Sequence, residues 1–275
     1  MSSTESAAAW SDVASGWERR DAWVSAGARP ITERLLEWLG PHPGWRVLDV
    51  GGGLGEVGRL VADRVGPEGA VVISDQAEGM VEAAGRLSRG LANVTVQVVD
   101  AQSMPFGDAS FDGAVSRFAF MLIPDPPAAL AETNRVLRPG GRLAFAVWAS
   151  APENPWGSAI GRAMIELGHA ERPEPDAPGP FRLGDPERLR ELVVGAGFGE
   201  PSVEPVEIAM RYASFEEFWA VTQDLAMSLR DALARLSIAQ ADELRARARE
   251  SLAPYEGDDG LAIPGRAWVV AADRR

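Results

Sequence analysis

The chain contains no cysteine and no lysine, and it has only two histidines. Without cysteine it can form neither disulfides nor thiolate metal sites, and a cysteine nucleophile is excluded. Without lysine it has no Schiff-base chemistry and no lysine general base. Two histidines are too few for the usual zinc site, so we expect no metal.

Positive charge and long apolar runs are also scarce. The net charge is −13 over 275 residues, and the arginines alternate with acidic residues. A nucleic-acid partner is therefore not expected, because a phosphate-binding surface needs a basic patch. No apolar run reaches the length of about 18 residues needed to suggest a membrane span. Residues 1–21 lack the basic and apolar regions of a signal peptide, so we expect a soluble, cytoplasmic protein.

Short apolar runs alternate with helical segments over residues 45–149. Such runs predict strands at 45–50, 70–75, 94–100, 110–118 and 142–149, and again at 203–212 and 266–273. Strands that alternate with helices require parallel pairing and right-handed crossovers, with helices covering both faces. We therefore predict an α/β fold with a doubly wound, mostly parallel seven-stranded sheet and helical cap elements.

The segments outside this core are expected to decorate a single domain, 1–275. Residues 1–9 are rich in serine and alanine and are expected to be disordered. An apolar stripe runs along 214–252, which we expect to be helical; it suits either cap packing or a homodimer surface. The predicted parts are an N-terminal helical arm at 1–43, a cofactor-binding core at 45–149, and cap insertions at 150–180 and 214–262.

The segment VLDVGGGLGEVG, residues 47–58, runs from a strand through a glycine turn into a helix. Open α/β sheets bind their ligands at such a turn, because glycine lets the backbone approach a ligand closely and adopt positive φ. Residues 53–58 match the dinucleotide pattern GxGxxG, whereas residues 49–55 match the DxGxGxG pattern of S-adenosylmethionine loops. Asp49 lies inside the strand end, where a carboxylate is unhelpful beside a pyrophosphate but can order the loop or meet a cationic group such as the ammonium of S-adenosylmethionine. The second pattern is favoured, and both remain open.

Acidic residues also end the next two strands. Asp75 stands where a carboxylate can accept hydrogen bonds from ribose hydroxyls, as it does in NAD-binding proteins too. Asp100 and Ala101 stand where the next strand end can contact an adenine edge. Neither position alone decides between the two cofactors.

Four segments in order resemble the class I, Rossmann-like S-adenosylmethionine-dependent methyltransferases. The resemblance is closest to the small-molecule branch of ubiquinone-biosynthesis type. It is good across roughly 45–150 and weaker over the caps. One departure is Gly52, where the family more often has a small polar residue, so a looser loop is expected. The four segments are VLDVGGGLGE (47–56), VVISDQ (71–76), VVDAQSMPFGDASFDGAV (98–115) and LRPGGRLAFAVW (137–148).

The resemblance implies S-adenosylmethionine as the cofactor and S-adenosylhomocysteine as the product. We predict strand order 3-2-1-4-5-7-6 with the last strand antiparallel. The residues implied to bind the cofactor lie at the carboxyl ends of the first four strands. Gly51, Gly53 and Gly55 would line its methionine and ribose portion, Asp75 the ribose, Gln76, Met80, Asp100 and Ala101 the adenine, and Ser116 the ammonium end.

The acceptor side of the reaction is less clearly marked. Transfer from a sulfonium relies mainly on proximity and orientation, so no catalytic residue is obligatory. His169, at the end of the helix after the fifth strand, is the candidate base if one is used. Trp17, Phe118, Trp148 and Trp156 are predicted to line a pocket for a small, planar or apolar acceptor.

We therefore expect a methyltransferase of specialised metabolism that methylates an O, N or C atom. One alternative is an S-adenosylmethionine-binding protein with non-methylating or no catalytic activity. Another is an NAD-dependent oxidoreductase, although a YxxxK motif is impossible without lysine.

Overall fold

A computed structural model describes residues 3–174 and 176–275, so residues 1, 2 and 175 of the predicted arm and first cap lie outside it. The described chain contains one sheet of eight strands. Their bounds are β1 Arg46–Val50, β2 Ala70–Asp75, β3 Val94–Val98, β4 Phe111–Arg117, β5 Leu137–Trp148, β6 Ser202–Tyr212, β7 Glu256–Gly257 and β8 Gly260–Asp273.

The sheet has the strand order β3-β2-β1-β4-β5-β8-β6, and β7 pairs with β8 at its side. Strands β1 to β5 are parallel, whereas β8 runs antiparallel to both β5 and β6. The predicted fold class is confirmed. The sheet differs in one detail from the predicted seven strands. The two-residue β7 forms a hairpin with β8 and raises the number of strands to eight. Asp258 and Asp259 form the turn of that hairpin, and Gly260, with φ +103°, begins β8 directly after it.

Helices cover both faces of the sheet. The first, α1, is a helix of 37 residues, and its second half supplies Ile31, Leu35 and Leu39 to the main core. Within the described residues, no helix is both long and apolar enough to cross a bilayer. The helices are α1 Ser3–Leu39, α2 Glu56–Val65, α3 Glu78–Leu87, α4 Pro126–Val136, α5 Pro155–Glu166, α6 Pro186–Gly195, α7 Phe215–Leu225, α8 Met227–Arg235 and α9 Ile238–Leu252.

The N-terminal segment differs from the prediction. Residues 3–9 belong to α1 and are not disordered. The reason is burial: Ser6 is 1% exposed and its hydroxyl accepts a hydrogen bond from Gln76 Nε2 at 3.1 Å. A serine/alanine composition alone does not reveal such a tertiary partner.

The second cap also differs from the prediction. The expected helix over 214–252 is divided into α7, α8 and α9. Ala226 is extended, and Ser237 starts α9 with a capping box in which its side chain and that of Gln240 each accept a bond from the other's backbone N–H. Residues 260–262, expected in this cap, belong to β8.

The strand order reverses between β1 and β4. Chain connections lead from β1 to one side of the sheet and from β4 to the other, so a crevice opens outside their carboxyl ends. The glycine loop follows β1, and the segment 118–121 follows β4. The fold therefore brings these two loops together.

Candidate functional site

The glycines of the loop serve two different purposes. A Cβ at Gly51 would lie 2.3 Å from Ala119 Cβ, and a Cβ at Gly55 would lie 2.8 Å from Ile73 Cδ1. Glycine is needed there because protein atoms approach closely. Gly53 has φ +55°, and no described atom lies within 4 Å of the Cβ position. Gly53 therefore opens onto free space at the carboxyl edge of β1.

Gly52 was expected to loosen the loop, but the loop is fixed at this residue. Its N–H donates to Ser74 O at 2.9 Å, and Gly55 N donates to Gly52 O at 2.8 Å. A Cβ at Gly52 would lie 2.8 Å from Asp49 Oδ2. Glycine at this position therefore leaves room for the carboxylate beneath the loop.

Asp75 fastens the glycine loop to the start of α3. Its Oδ2 accepts a hydrogen bond from Gly53 N and its Oδ1 from Ala77 N, each at 2.9 Å. Burial raises the pKa of Asp75, and these backbone N–H groups oppose the rise. A carboxylate oxygen has a second lone pair, so both oxygens retain capacity for a ligand hydroxyl.

Asp49 lies beneath the loop and is completely buried. Its Oδ2 accepts a hydrogen bond from Gly58 N at 2.8 Å, which ties β1 to α2. Burial is the main reason that its pKa rises to about 7. Its Oδ1 is buried with no hydrogen-bond partner among the described residues. That oxygen is therefore a buried acceptor that no donor of the described residues reaches.

Ser116 lies on the other face of the sheet from Asp49. Asp49 pairs with Val115 across β1 and β4, so these two share a face and the next residue points to the opposite one. Ser116 is completely buried, and its hydroxyl lacks a hydrogen-bond partner in the described chain. The structure does not place it beside Asp49, and its contact with the ammonium group stays a prediction.

Asp100 lies in the turn that follows β3. Its Oδ1 accepts hydrogen bonds from the backbone and side-chain nitrogens of Gln102, both at 2.9 Å. Gln102 Oε1 in turn accepts from Asp125 N at 3.0 Å, ahead of α4. This chain of bonds fixes Asp100 and Ala101 at the carboxyl edge of the sheet, two strands from the glycine loop.

Gln76 and Met80, both predicted to contact adenine, lie under the first half of α1. Gln76 donates to Ser6, and Met80 is 3% exposed in a cluster that contains Val13 and Leu54. Gly79 N donates to Ser11 Oγ at 3.2 Å. The arm therefore covers the surface of α3 beside the glycine loop.

Three of the four aromatic residues predicted to contact the acceptor are in contact with one another. Phe118 stacks on Trp148 with ring centroids 3.9 Å apart, and Trp156 meets Trp148 edge-on at 4.7 Å. Phe118 has φ +65°, a conformation that a bulky residue rarely adopts outside functional sites. The buried Asn154 fixes Trp156 by accepting its indole N–H at 3.1 Å.

Trp17 and His169 lie elsewhere. Trp17 belongs to the cluster of Leu54 and Met80, and its indole donates to Leu225 O at 3.2 Å, at the end of α7. His169 follows the far end of α5, which ends at Glu166, about 15 Å along the helix from Trp156 at 1.5 Å per residue. The structure does not bring His169 to the aromatic cluster. Its Nε2 is buried without a partner among the described residues.

Charged side chains that we did not predict from the sequence join α1 to the crevice. Arg117 donates to Glu56 Oε2 and to Thr32 Oγ1, both at 2.6 Å. Arg59 Nη1 donates to Leu54 O at 2.6 Å. One feature of the sequence could have indicated this cluster. Arg117 is a charged residue at the end of an otherwise buried strand.

A doubly wound sheet with a glycine loop and a strand-end carboxylate at its switch point defines an α/β protein that binds a nucleoside cofactor. The family model described as "Methyltransferase domain" matches residues 47–141. The nocamycin O-methyltransferase of Saccharothrix syringae is 34% identical over 262 residues, which cover 89% of this chain and 81% of that protein.

Two further comparisons cover different parts of the molecule. The ubiquinone/menaquinone biosynthesis C-methyltransferase UbiE of Teredinibacter turnerae is 37% identical over 147 residues. That match covers 52% of this chain and only 58% of the relative. The solved YcgJ protein from Bacillus subtilis shares the fold with a TM-score of 0.60 at 19% identity, over 89% of this chain and 97% of that one.

The chain belongs to the class I S-adenosylmethionine-dependent methyltransferase family. Its cofactor is S-adenosylmethionine, and its acceptor is a small molecule. The NAD interpretation of the glycine loop was therefore wrong. The residues present fit the cofactor, because the space above Gly53 would be filled by a side chain and the free Asp49 Oδ1 can accept from an ammonium group.

Proposed function

We propose that this enzyme methylates an oxygen atom of a small acceptor with a planar or apolar body. The observation that carries the choice of oxygen is the extent of the match to nocamycin O-methyltransferase. That match covers 89% of the chain and therefore includes caps as well as the cofactor core. Acceptor selection is expected to depend on the caps.

The cofactor supplies an activated methyl group on a sulfonium, and this chain's residues hold and orient the reactants. Gly53 gives the backbone room at the loop, and Asp75 presents its carboxylate there for the ribose. Asp49 offers its free oxygen to the ammonium group. Orientation of this kind supplies much of the acceleration in a displacement reaction.

The stack of Phe118 and Trp148 supports a planar acceptor. Phe118 follows β4 beside the crevice and Trp148 ends the neighbouring β5, and Phe118 has an unfavourable backbone angle there. Aromatic faces contact flat ligands favourably in offset or edge geometry. Together with Trp156 they would form the apolar wall of the acceptor site.

We further propose that the chain works as one domain. The arm and both caps then cover the two ends of a single crevice. Methylation of carbon has less support, because the match to the UbiE protein covers only 52% of this chain and 58% of that relative.

The test is methyl transfer from radiolabelled S-adenosylmethionine to a panel of phenols, carboxylic acids, hydroquinones and amines. Products are identified by mass and by the position of the new methyl group. Methyl ethers or esters would support the proposal. Methylation confined to carbon or nitrogen would contradict it, and so would cofactor binding without transfer to any member of the panel.

A further inference from the structure

One face of α1 crosses the crevice from end to end. Trp17, Asp21, Ala28 and Thr32 are spaced by four, seven and four residues, so they lie on one face of the helix. Trp17 packs in the cluster of Leu54 at one end, and Thr32 contacts Arg117 at the other. Asp21 therefore lies between these contacts, above the carboxyl ends of β1 and β4.

The surroundings of Asp21 connect it to the glycine loop. Its Oδ2 lies 3.9 Å from Arg59 Nη2, and the other terminal nitrogen of Arg59 donates to Leu54 O. The Asp21 side chain is 27% exposed and that of Arg59 is 20% exposed. A half-buried carboxylate is thus held one side chain away from the loop that binds the cofactor.

Other acids at this edge have strong hydrogen bonds. Asp49 and Asp75 accept backbone N–H groups at 2.8 and 2.9 Å, and Glu56 accepts from Arg117 at 2.6 Å. The contact of Asp21 at 3.9 Å is longer than a hydrogen bond. Among the acids at this edge, Asp21 is therefore the partly exposed one whose carboxylate oxygens accept no hydrogen bond from the described residues, as a base that takes a proton from a ligand requires.

Building on the proposed O-methylation, we propose that Asp21 accepts the proton of the acceptor's hydroxyl group during transfer. The acceptor O–H bond breaks and its proton goes to the carboxylate of Asp21. The oxygen lone pair forms the new bond to the methyl carbon, and the electron pair of the breaking S–C bond remains on sulfur. The products are a methyl ether, S-adenosylhomocysteine and protonated Asp21, which releases its proton to water.

The charged groups that face Asp21 come from three elements. They are Arg59 and Glu56 on α2, Arg117 on β4 and Glu18 on α1 itself. Burial is the largest influence and raises the pKa of Asp21, while Arg59 opposes the rise. The base acts when ionised, so kcat/KM should rise with pH through a value above the ordinary aspartate pKa of about 3.9.

The test uses the full chain with Asp21→Asn and, as a matched control on the same helix, Glu18→Gln. Glu18 is paired with Arg86 of α3 at 2.8 Å. Asp21→Asn should lower kcat/KM for a phenol by about 100-fold and remove the acidic limb of its pH profile. The S-adenosylhomocysteine Kd should change by less than about twofold. The melting temperature at pH 8 should stay equal or rise. Glu18→Gln should keep the rate of phenol methylation at pH 8 and shift the acidic limb of the pH profile to lower pH, because the charge of Glu18 helps to raise the pKa of Asp21.

Carboxylic acids separate this inference from the proposed function, because they arrive already ionised. The Asp21→Asn variant should methylate a carboxylic acid at the wild-type rate, whereas its activity towards the phenol should be lost. A wild-type enzyme that methylates carboxylic acids alone would overturn the role of Asp21 and leave O-methylation standing. A melting temperature well below that of Glu18→Gln would show that the carboxylate is structural. Absence of any O-methylated product from the wild type would overturn the proposed function itself.

Discussion

Replacing Gly53 by alanine isolates the contact between the glycine loop and the cofactor. The backbone N–H is kept, so its hydrogen bond to Asp75 at 2.9 Å can persist. The added methyl group would project into space in which no described atom lies within 4 Å. Its clash is therefore with a bound ligand and not with the protein.

The cost of the substitution has two parts that a control can separate. Placing alanine at φ +55° costs about 1–2 kcal/mol in backbone strain. For a protein of this size that strain lowers the melting temperature by roughly 2–8 °C. Gly40 has φ +56° and its nearest Cβ contact is an ordinary 3.8 Å, and it lies at the opposite edge of the sheet, before β1. Gly40→Ala should therefore reproduce the strain alone.

Isothermal titration with S-adenosylhomocysteine and thermal melting of both variants provide the comparison. Both melting temperatures should fall by similar amounts, while only Gly53→Ala should raise the Kd, by at least about tenfold or 1.4 kcal/mol. If the Kd of Gly53→Ala matched that of Gly40→Ala, the space above Gly53 would not hold the cofactor. The loop assignment would then be wrong.

Asp75→Ala should weaken S-adenosylhomocysteine binding by about 1.5–3 kcal/mol in titration, because the charged hydrogen bonds to the ribose are lost. Asp75→Asn should lose less binding free energy. Equal Kd values for the wild type and both variants would contradict the contact of Asp75 with the ribose. Asp49 has a folded-state pKa of about 7, above its unfolded value, so it binds a proton more tightly when folded. The free energy of unfolding, measured in urea, should therefore fall as pH rises from about 4 to 7, by up to roughly 1.4 kcal/mol per pH unit. Asp49→Asn should flatten that slope. The same slope in Asp49→Asn and the wild type would contradict the raised pKa of Asp49. Phe118→Gly relieves the φ of +65° but removes the stack on Trp148. The acceptor KM should rise by about tenfold or more while the S-adenosylhomocysteine Kd stays constant, and a reversed pattern would place Phe118 at the cofactor.

The core of the fold could be predicted from local patterns. Apolar runs bounded by turn residues located β1, β2, β3, β4 and β6 to within two residues, whereas β5 begins at Leu137 and not at 142, and β8 begins at Gly260 and not at 266. Beyond the core, the pattern was less informative. The division of the second cap depends on Ser237 and Gln240 acting together as a capping box, inside a segment whose apolar stripe continues across the break.

The cofactor residues could be placed on strand ends, but their partners could not. Asp75 was expected to face the ribose, and in the structure it also holds Gly53 and Ala77. Gln76 and Met80 were expected beside adenine, and they also contact α1. These partners lie far away in sequence, and no spacing rule connects residue 6 with residue 76.

The glycine motif shows why sequence predicts a cofactor more readily than an acceptor. Glycine recurs in the loop for two reasons. At Gly51 and Gly55 a side chain would clash with Ala119 and Ile73, whereas at Gly53 the missing side chain leaves room for a ligand. Both requirements are local and strict, so they leave a recognisable pattern. The position of Asp21 depends instead on a helix face that crosses a crevice formed by other elements. In the sequence, Asp21 cannot be distinguished from the other charged residues of an amphipathic helix. The acceptor side is therefore determined by tertiary placement, which a motif does not record.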